Sequence, residues 1–220
     1  MRSIQTTADG SHTIQSSTFQ ADYHSLHGAI QETQTVFIDA ALHYKAKTQP
    51  DLSILDVGLG TGLNAWMTFL IAQQFGYKIR YVGMEGFPLE MDLVEQLNYP
   101  SLLKADAQRD VFLNIHRHSN QWVNLSDSFS FFKKVALFDT LSEQAEYDII
   151  YYDAFAPSAQ PELWEVPQLQ LVYDALRPNG VLTTYCAKGV VKRALRQVGF
   201  RVESLPGPVG KREMTRAVKE

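Results

Sequence analysis

The feature that most constrains this chain is a junction of three local signals. SILDVG (53–58) is an apolar run of strand length that passes into Gly58-Leu59-Gly60-Thr61-Gly62. That turn passes in its own turn into LNAWMTFLIAQQFG (63–76), a strongly helical segment. A strand, a glycine-rich turn and a helix in this order bring backbone N–H groups and a helix N-terminus up to a ligand. Glycine is needed because a side chain would block that approach or clash at positive φ. Taken alone, the junction fits several nucleotide-like ligands.

Strands and helices alternate on either side of it. Val36, Phe37, Ala40, Ala41 and Tyr44 recur at helical spacing from Gln31 to Lys45, and Pro50 with Asp51 stops that helix. KIRYVGME (78–85) reads as a second strand ending in an acid, and 89–118 as a helix in two pieces broken near Pro100. SFSFFKKVALFD (128–139) reads as a strand ending in Asp139, and YDIIYYDAFAP (147–157) as one stopped by Pro157. A helix over 165–177 leads through RPNG into the strand VLTTYCA, then a helix over 189–198 and two strands near 201–205 and 213–219, paired as a hairpin. Residues 1–30, polar and rich in Ser and Thr, read as an ordered extension or a short hairpin. The pattern predicts an α/β fold with a doubly wound, mostly parallel seven-stranded Rossmann-like sheet and a C-terminal antiparallel strand. At 220 residues the chain has room for one core: 51–220 as one folding unit, with 1–50 packed on it.

Bulk properties narrow the function classes. The N-terminus MRSIQTTADGSH lacks the basic-then-apolar run of an export signal, and no apolar run nears the ~20 residues of a membrane span. A cytoplasmic protein with no membrane partner is expected. The single cysteine, Cys186, excludes an intramolecular disulfide framework and reads as a small buried thiol. The six histidines include no HExxH and no other ligand spacing, so no metal is expected. Net charge is −4, but 181–220 carries nine Lys/Arg against three Glu. That basic end fits a footprint for phosphates or a solvated helix face equally well.

Spacing within the glycine turn discriminates among ligands. A dinucleotide fingerprint G-x-G-x-x-G needs glycine at 63, where Leu63 stands, which disfavours a nicotinamide reductase. The pattern here is Asp56-x-Gly58-x-Gly60-x-Gly62, the form found in S-adenosylmethionine (SAM) methyltransferases. SAM carries an ammonium rather than a pyrophosphate, so Asp56 ahead of the glycines makes electrostatic sense. Glu85, at the carboxyl end of the second strand, suits the ribose hydroxyls, and Asp139 is placed for the adenine amino group. Asp153-Ala-Phe155-Ala-Pro157 ends the fourth strand at the crevice where such sheets bind ligands. A carboxylate there can orient and deprotonate an amine, and an aromatic ring can stabilise charge on nitrogen, so Asp153 and Phe155 are the candidate catalytic residues.

Several segments together resemble the methyltransferase component of the MnmC family of tRNA wobble-uridine modification enzymes. They are DGSHTI (9–14), YHS-x-HGA-x-QET-x-x-VF (23–37), LDVGLGTGLNA (55–65), YDAFAP-x-x-x-PELW (152–164), TYCAKG-x-V-x-R-x-L-x-x-x-GF (184–200) and GKREM (210–214). The resemblance implies methylation of the exocyclic amine of 5-aminomethyl(-2-thio)uridine in tRNA. It implies that Gly58, Gly60, Gly62 and Glu85 hold SAM and that Asp153, Phe155 and Pro157 frame the amine. Gln31 and Glu32 would sit near the cofactor's amino-acid end, and Lys211 with Arg212 at a mouth open to RNA phosphates. Bifunctional members continue into a FAD-dependent oxidase; no FAD fingerprint occurs here, so no FAD chemistry is expected and the substrate would arrive with its amine free. From the residues alone, a methyltransferase of a small-molecule or protein amine and a non-catalytic partner on the same sheet both stay open.

Overall fold

The computed structural model describes residues 2–220. Strand β4 (Asp51–Val57) is buried without a break from Leu52 onward. Only a strand covered on both faces takes such a sequence. It lies in the middle of the sheet, parallel to β5 (Lys78–Glu85) on one side and β8 (Tyr147–Tyr152) on the other. Beyond β5 come β7 (Phe129–Val135), parallel, and β6 (Trp122–Ser126), antiparallel. Beyond β8 come β9 (Leu176–Thr184), parallel, then β11 (Glu213–Lys219), antiparallel to both β9 and β10 (Phe200–Pro206). The order β10-β11-β9-β8-β4-β5-β7-β6 contains all seven strands expected from the sequence and adds an eighth, β6, at the edge.

Alternate residues of the buried strands feed two cores. Ile54, Tyr81, Phe131 and Tyr151 pack with Trp66, Phe69 and Phe112 under the helices Leu63–Phe75 and Arg109–Arg117 and a helix over 29–46, whose middle, Gln34–Leu42, is wound as a π-helix. Leu55, Ile150 and Leu182 face the other way, against Leu169 and Val172 of the helix Val166–Ala175 and Val191 and Leu195 of the helix Gly189–Gln197. The N-terminal segment forms a separate antiparallel sheet of β1 (Arg2–Thr6), β2 (His12–Ser16) and β3 (Ala21–Asp22). Among the described residues no helix is long and apolar enough to cross a membrane.

Two strands end earlier than their sequences suggest. β7 stops at Val135 and the chain leaves the sheet, so Asp139 sits in the 3-10 turn Phe138–Thr140 rather than at a strand end. β8 stops at Tyr152, five positions before Pro157, because the next carbonyls are taken by side chains: Ala154 O accepts from Tyr185 Oη at 2.8 Å and Phe155 O from Trp164 Nε1 at 2.8 Å.

Gly62, at φ +74°, starts the helix Leu63–Phe75, and its bare α-carbon faces His116 and Ile115 of the helix Arg109–Arg117. A Cβ there would lie 2.6 Å from His116 Nε2. That imidazole is held neutral by burial, its pKa lowered to about 4, and contacts Thr61 O at 3.1 Å. Gly62→Ala therefore combines left-handed strain with a collision in a packed interior, a loss of about 2 kcal/mol or more. The expected result is a lower urea midpoint at unchanged m-value.

Candidate active site

At the carboxyl ends of β4, β5 and β8 lies a cavity of about 670 Å³. Its floor is the main chain of the glycine turn, and its roof is the loop between β2 and the helix over 29–46, which contributes Phe19, Asp22, Tyr23, His24 and Ser25. Gly58 and Asp153 touch through their main chains: Asp153 N donates to Val57 O at 3.0 Å, and a Cβ on Gly58 would stand 2.7 Å from Asp153 O. Any side chain at 58 would push the acid away from the turn. Gly60 is also in the left-handed region, φ +52°, and a Cβ on it would lie 2.9 Å from Tyr23 Cδ1.

Glu85 is locked in place. Oε2 accepts from Gly60 N at 2.9 Å and Oε1 from Phe87 N at 2.8 Å, so the carboxylate both shapes the turn and faces the cavity. Asp139 lines the rim, exposed.

Asp153 occupies the opposite wall. Its Oδ2 accepts from Asn64 Nδ2 at 2.9 Å. Thr33 Oγ1 donates to Asn64 Oδ1 at 3.0 Å, which fixes the amide with its NH2 toward the carboxylates. Burial pushes the Asp153 carboxyl up to about 7, nearby Glu32 adds to the rise, and the Asn64 hydrogen bond and Lys211 oppose it. A group with that affinity for protons can act as a base near neutrality.

Glu32 and Lys211 form an ion pair in the cavity wall. Glu32 Oε2 accepts from Ser25 N at 2.8 Å and Oε1 receives Lys211 Nζ, which lies 4.0 Å over the Tyr185 ring. Phe155 lines the cavity as expected, stacked on Phe19 at 4.7 Å and met edge-on by Tyr23 at 5.0 Å.

Of the residues singled out in the sequence, the cavity thus gathers Glu32, Gly58, Gly60, Glu85, Asp139, Asp153, Phe155 and Lys211. Five stand outside it. Asp56 is fully buried beneath the turn, bonded by Tyr81 Oη at 2.7 Å and reached by Asn64 Nδ2 at 3.5 Å; it orders the residues behind the site instead of meeting a ligand's ammonium. Its carboxyl is raised, first by burial and then by Asp153. Gly62 serves helix packing, Pro157 opens a turn beyond the acid, and Arg212 is exposed. Gln31 is tied to the β10–β11 turn, its Oε1 accepting from Val209 N at 3.2 Å. Sequence reasoning missed Asn64, His24 and Tyr185. A polar residue at the second position of an otherwise apolar helix was the available signal for Asn64. His24 is made neutral by burial, pKa about 4, and bridges Thr13 Oγ1 at 3.2 Å and Thr61 Oγ1 at 3.4 Å, joining roof to floor.

A mostly parallel sheet with an antiparallel strand inserted between β9 and β10, a glycine turn after its central strand and an acid after the next make up the SAM-dependent methyltransferase fold. Residues 119–220 match the family model described as S-adenosyl-L-methionine-dependent methyltransferase, and family and fold imply S-adenosylmethionine as cofactor. The chain is a relative of the methyltransferase portion of the MnmC proteins. It is 32% identical to the "tRNA 5-methylaminomethyl-2-thiouridine biosynthesis bifunctional protein MnmC" of Pseudoalteromonas atlantica over 96% of this chain and 32% of that protein. With the Marinomonas sp. protein of that name it shares 26% identity, over 91% and 31%. The chain therefore spans about a third of the length of these curated relatives. The crystal structure of MNMC2 from Aquifex aeolicus superposes with a TM-score of 0.81 at 26% identity, over 100% of this chain and 70% of that one. Spermidine synthase from Thermotoga maritima, at 0.58 and 13% identity over 100% and 80%, shares the fold alone.

The Glu32 side chain is 7% exposed, so removing its cation strands a charge. Lys211→Met is expected to destabilise the protein more than the double change Glu32→Gln/Lys211→Met. A double-mutant cycle by urea denaturation should return a coupling of about 1–3 kcal/mol.

Proposed function

We propose that this chain transfers the methyl group of S-adenosylmethionine to the exocyclic amine of 5-aminomethyl(-2-thio)uridine at the wobble position of tRNA, in the cytoplasm. The observation that carries the reading is that Asp153, its carboxyl pushed up to about 7, shares one cavity with the glycine turn and Glu85. The MnmC relatives, named for biosynthesis of 5-methylaminomethyl-2-thiouridine in tRNA, support that substrate.

The residues present fit the cofactor. Bare main chain at Gly58 and Gly60, a carboxylate fixed by two N–H groups at Glu85, and apolar walls from Met84, Leu137 and Phe138 suit a nucleoside. Gly58, Gly60 and Glu85 would hold it, with Asp139 at the rim and Glu32 toward the amino-acid end, while Asp56 and Gly62 act from behind the turn. When bound, S-adenosylmethionine supplies a methyl group on a positive sulfur, ready for an in-line lone pair.

The remaining work belongs to this chain. Asp153 Oδ1, free of the Asn64 bond, accepts an N–H of the incoming amine and aims its lone pair. As nitrogen becomes alkylated, Asp153 takes the proton it sheds. Asn64 keeps the carboxylate from swinging away, and Thr33 keeps Asn64 from flipping. Phe155, Phe19 and Tyr23 offer ring surfaces against which a flat base can lie and a cationic nitrogen is tolerated. Lys211 is paired with Glu32, so among the described residues no other cation in the cavity wall is set against Asp153.

Labelled S-adenosylmethionine incubated with tRNA bearing the aminomethyl base is expected to label that base. Cofactor binding without label in the base would remove the substrate. Asp153→Asn is expected to slow transfer by about 10²–10⁴-fold with cofactor affinity nearly unchanged. Equal losses in both would make Asp153 a cofactor ligand. Because Asp153 must be ionised, the wild-type rate should climb with pH, level off above about 7, and lose that inflection in Asp153→Asn.

A further inference from the structure

The nine Lys/Arg of 181–220 divide sharply by what they touch. Lys192 bonds Glu213 at 2.8 Å and Ser204 at 2.7 Å, and Lys211 pairs with Glu32. Arg201 and Arg216 pair with Glu203, and Lys219 donates to the carbonyls of Tyr173 and Leu176. These five hold the fold together. Among the described residues Lys188, Arg193, Arg196 and Arg212 have no ion pair and no side-chain hydrogen bond, and all four are exposed.

Three of the free four lie together on one helix. Lys188 precedes the helix Gly189–Gln197, and Arg193 and Arg196 stand on its exposed face with Val190. Arg193 folds back toward the start of that helix: one of its guanidinium nitrogens lies 3.3 Å from where a Cβ on Gly189 would be. Arg212 stands on another element, beside Lys211 in the β10–β11 turn, and is exposed there. The cavity is close at hand, since Tyr185 in its wall stands three residues before Lys188. Val190, 59% exposed, is an apolar side chain on the same exposed helix face. The local acids Glu213 and Glu32 are already neutralised by Lys192 and Lys211.

We infer that Lys188, Arg193 and Arg196 form a docking surface for RNA phosphates, which delivers a nucleotide of the bound strand into the adjoining cavity. The inference rests on the reading of tRNA as substrate but assigns a different set of residues from those of the reaction. Unpaired cations beside a cavity, on a chain whose net charge is −4, repel an acidic protein less than the rest of the molecule does. What favours RNA over such a protein is the exposed arginine pair with free forks, suited to phosphate oxygens, flanked by an apolar side chain that can lie on sugar and base.

The test is direct binding of a tRNA transcript to the full chain with S-adenosylmethionine present, across a series of salt concentrations, for wild type and for Lys188→Gln/Arg193→Gln/Arg196→Gln. The substituted side chains are exposed and unpaired, and cofactor affinity with thermal unfolding reports that the fold is intact. The expected result is at least about tenfold weaker binding near physiological salt. The slope of log affinity against log salt should be shallower by about 2 to 3, each lost phosphate contact removing ~0.7–0.9. Unchanged affinity and slope in a folded variant overturn the docking surface, as does a wild type that binds no tRNA. A wild type that binds tRNA with steep salt dependence but never methylates it overturns the proposed reaction and leaves the surface standing.

Discussion

The close approach of two main chains at the ends of β4 and β8 is the constraint on which the site depends. Asp153 can stand beside the glycine turn only because residue 58 has no side chain; a Cβ there would meet Asp153 O at 2.7 Å. The same contact continues the ladder by one bond, Asp153 N to Val57 O, after β8 itself has ended. Parallel neighbours in the sheet therefore do more than bury apolar surface. They set an acid from one strand against a bare turn from the next, the crevice in which α/β sheets hold ligands. Asn64 then fastens the acid from the helix that the turn begins, so strand, turn and helix converge on one carboxylate.

A second layer depends on the first. The roof loop reaches the floor through His24, whose ring bridges Thr13 and Thr61, and through Tyr23, which lies in the space that Gly60 leaves open. Glu32 ties the roof at Ser25 to the β10–β11 turn at Lys211, and Gln31 ties the same helix to Val209. The enclosure is thus assembled from the N-terminal segment, the central turn and the last hairpin, segments some 180 positions apart in sequence. Enclosure lowers the local dielectric, which is why Asp153 departs from the ordinary carboxylate range.

Much of this was legible in the sequence, and the failures have physical causes. The strand–glycine–helix junction and the acids Glu85 and Asp153 were found because they obey local rules of spacing and strand ends. Asp56 was misread because a sequence shows that an acid precedes the glycines but not which face of β4 it occupies; it points into the core, toward Tyr81. The pairing of Lys211 is hidden for the same reason, as its partner Glu32 is distant in sequence. Pro157 and Asp139 were taken as strand ends, yet side-chain donors such as Tyr185 and Trp164 end β8 before the proline does. Strand β6 went unnoticed because WVNLS lies on an edge, half exposed and too short to show a period.

The adjacent pair Lys211 and Arg212 shows how far one position can separate two roles. Both are cations in a turn, and nothing in their spacing tells them apart. In the fold, the odd residue turns inward onto Glu32 and the Tyr185 ring, where its charge is spent on a buried acid; the even residue turns outward and stays free. A basic tail on an acidic body is therefore not one feature. Five of its charges offset acids or carbonyls that folding would otherwise leave buried or crowded, and only the remainder can act on anything outside the molecule. That partition explains why net charge is a poor guide to the partner here.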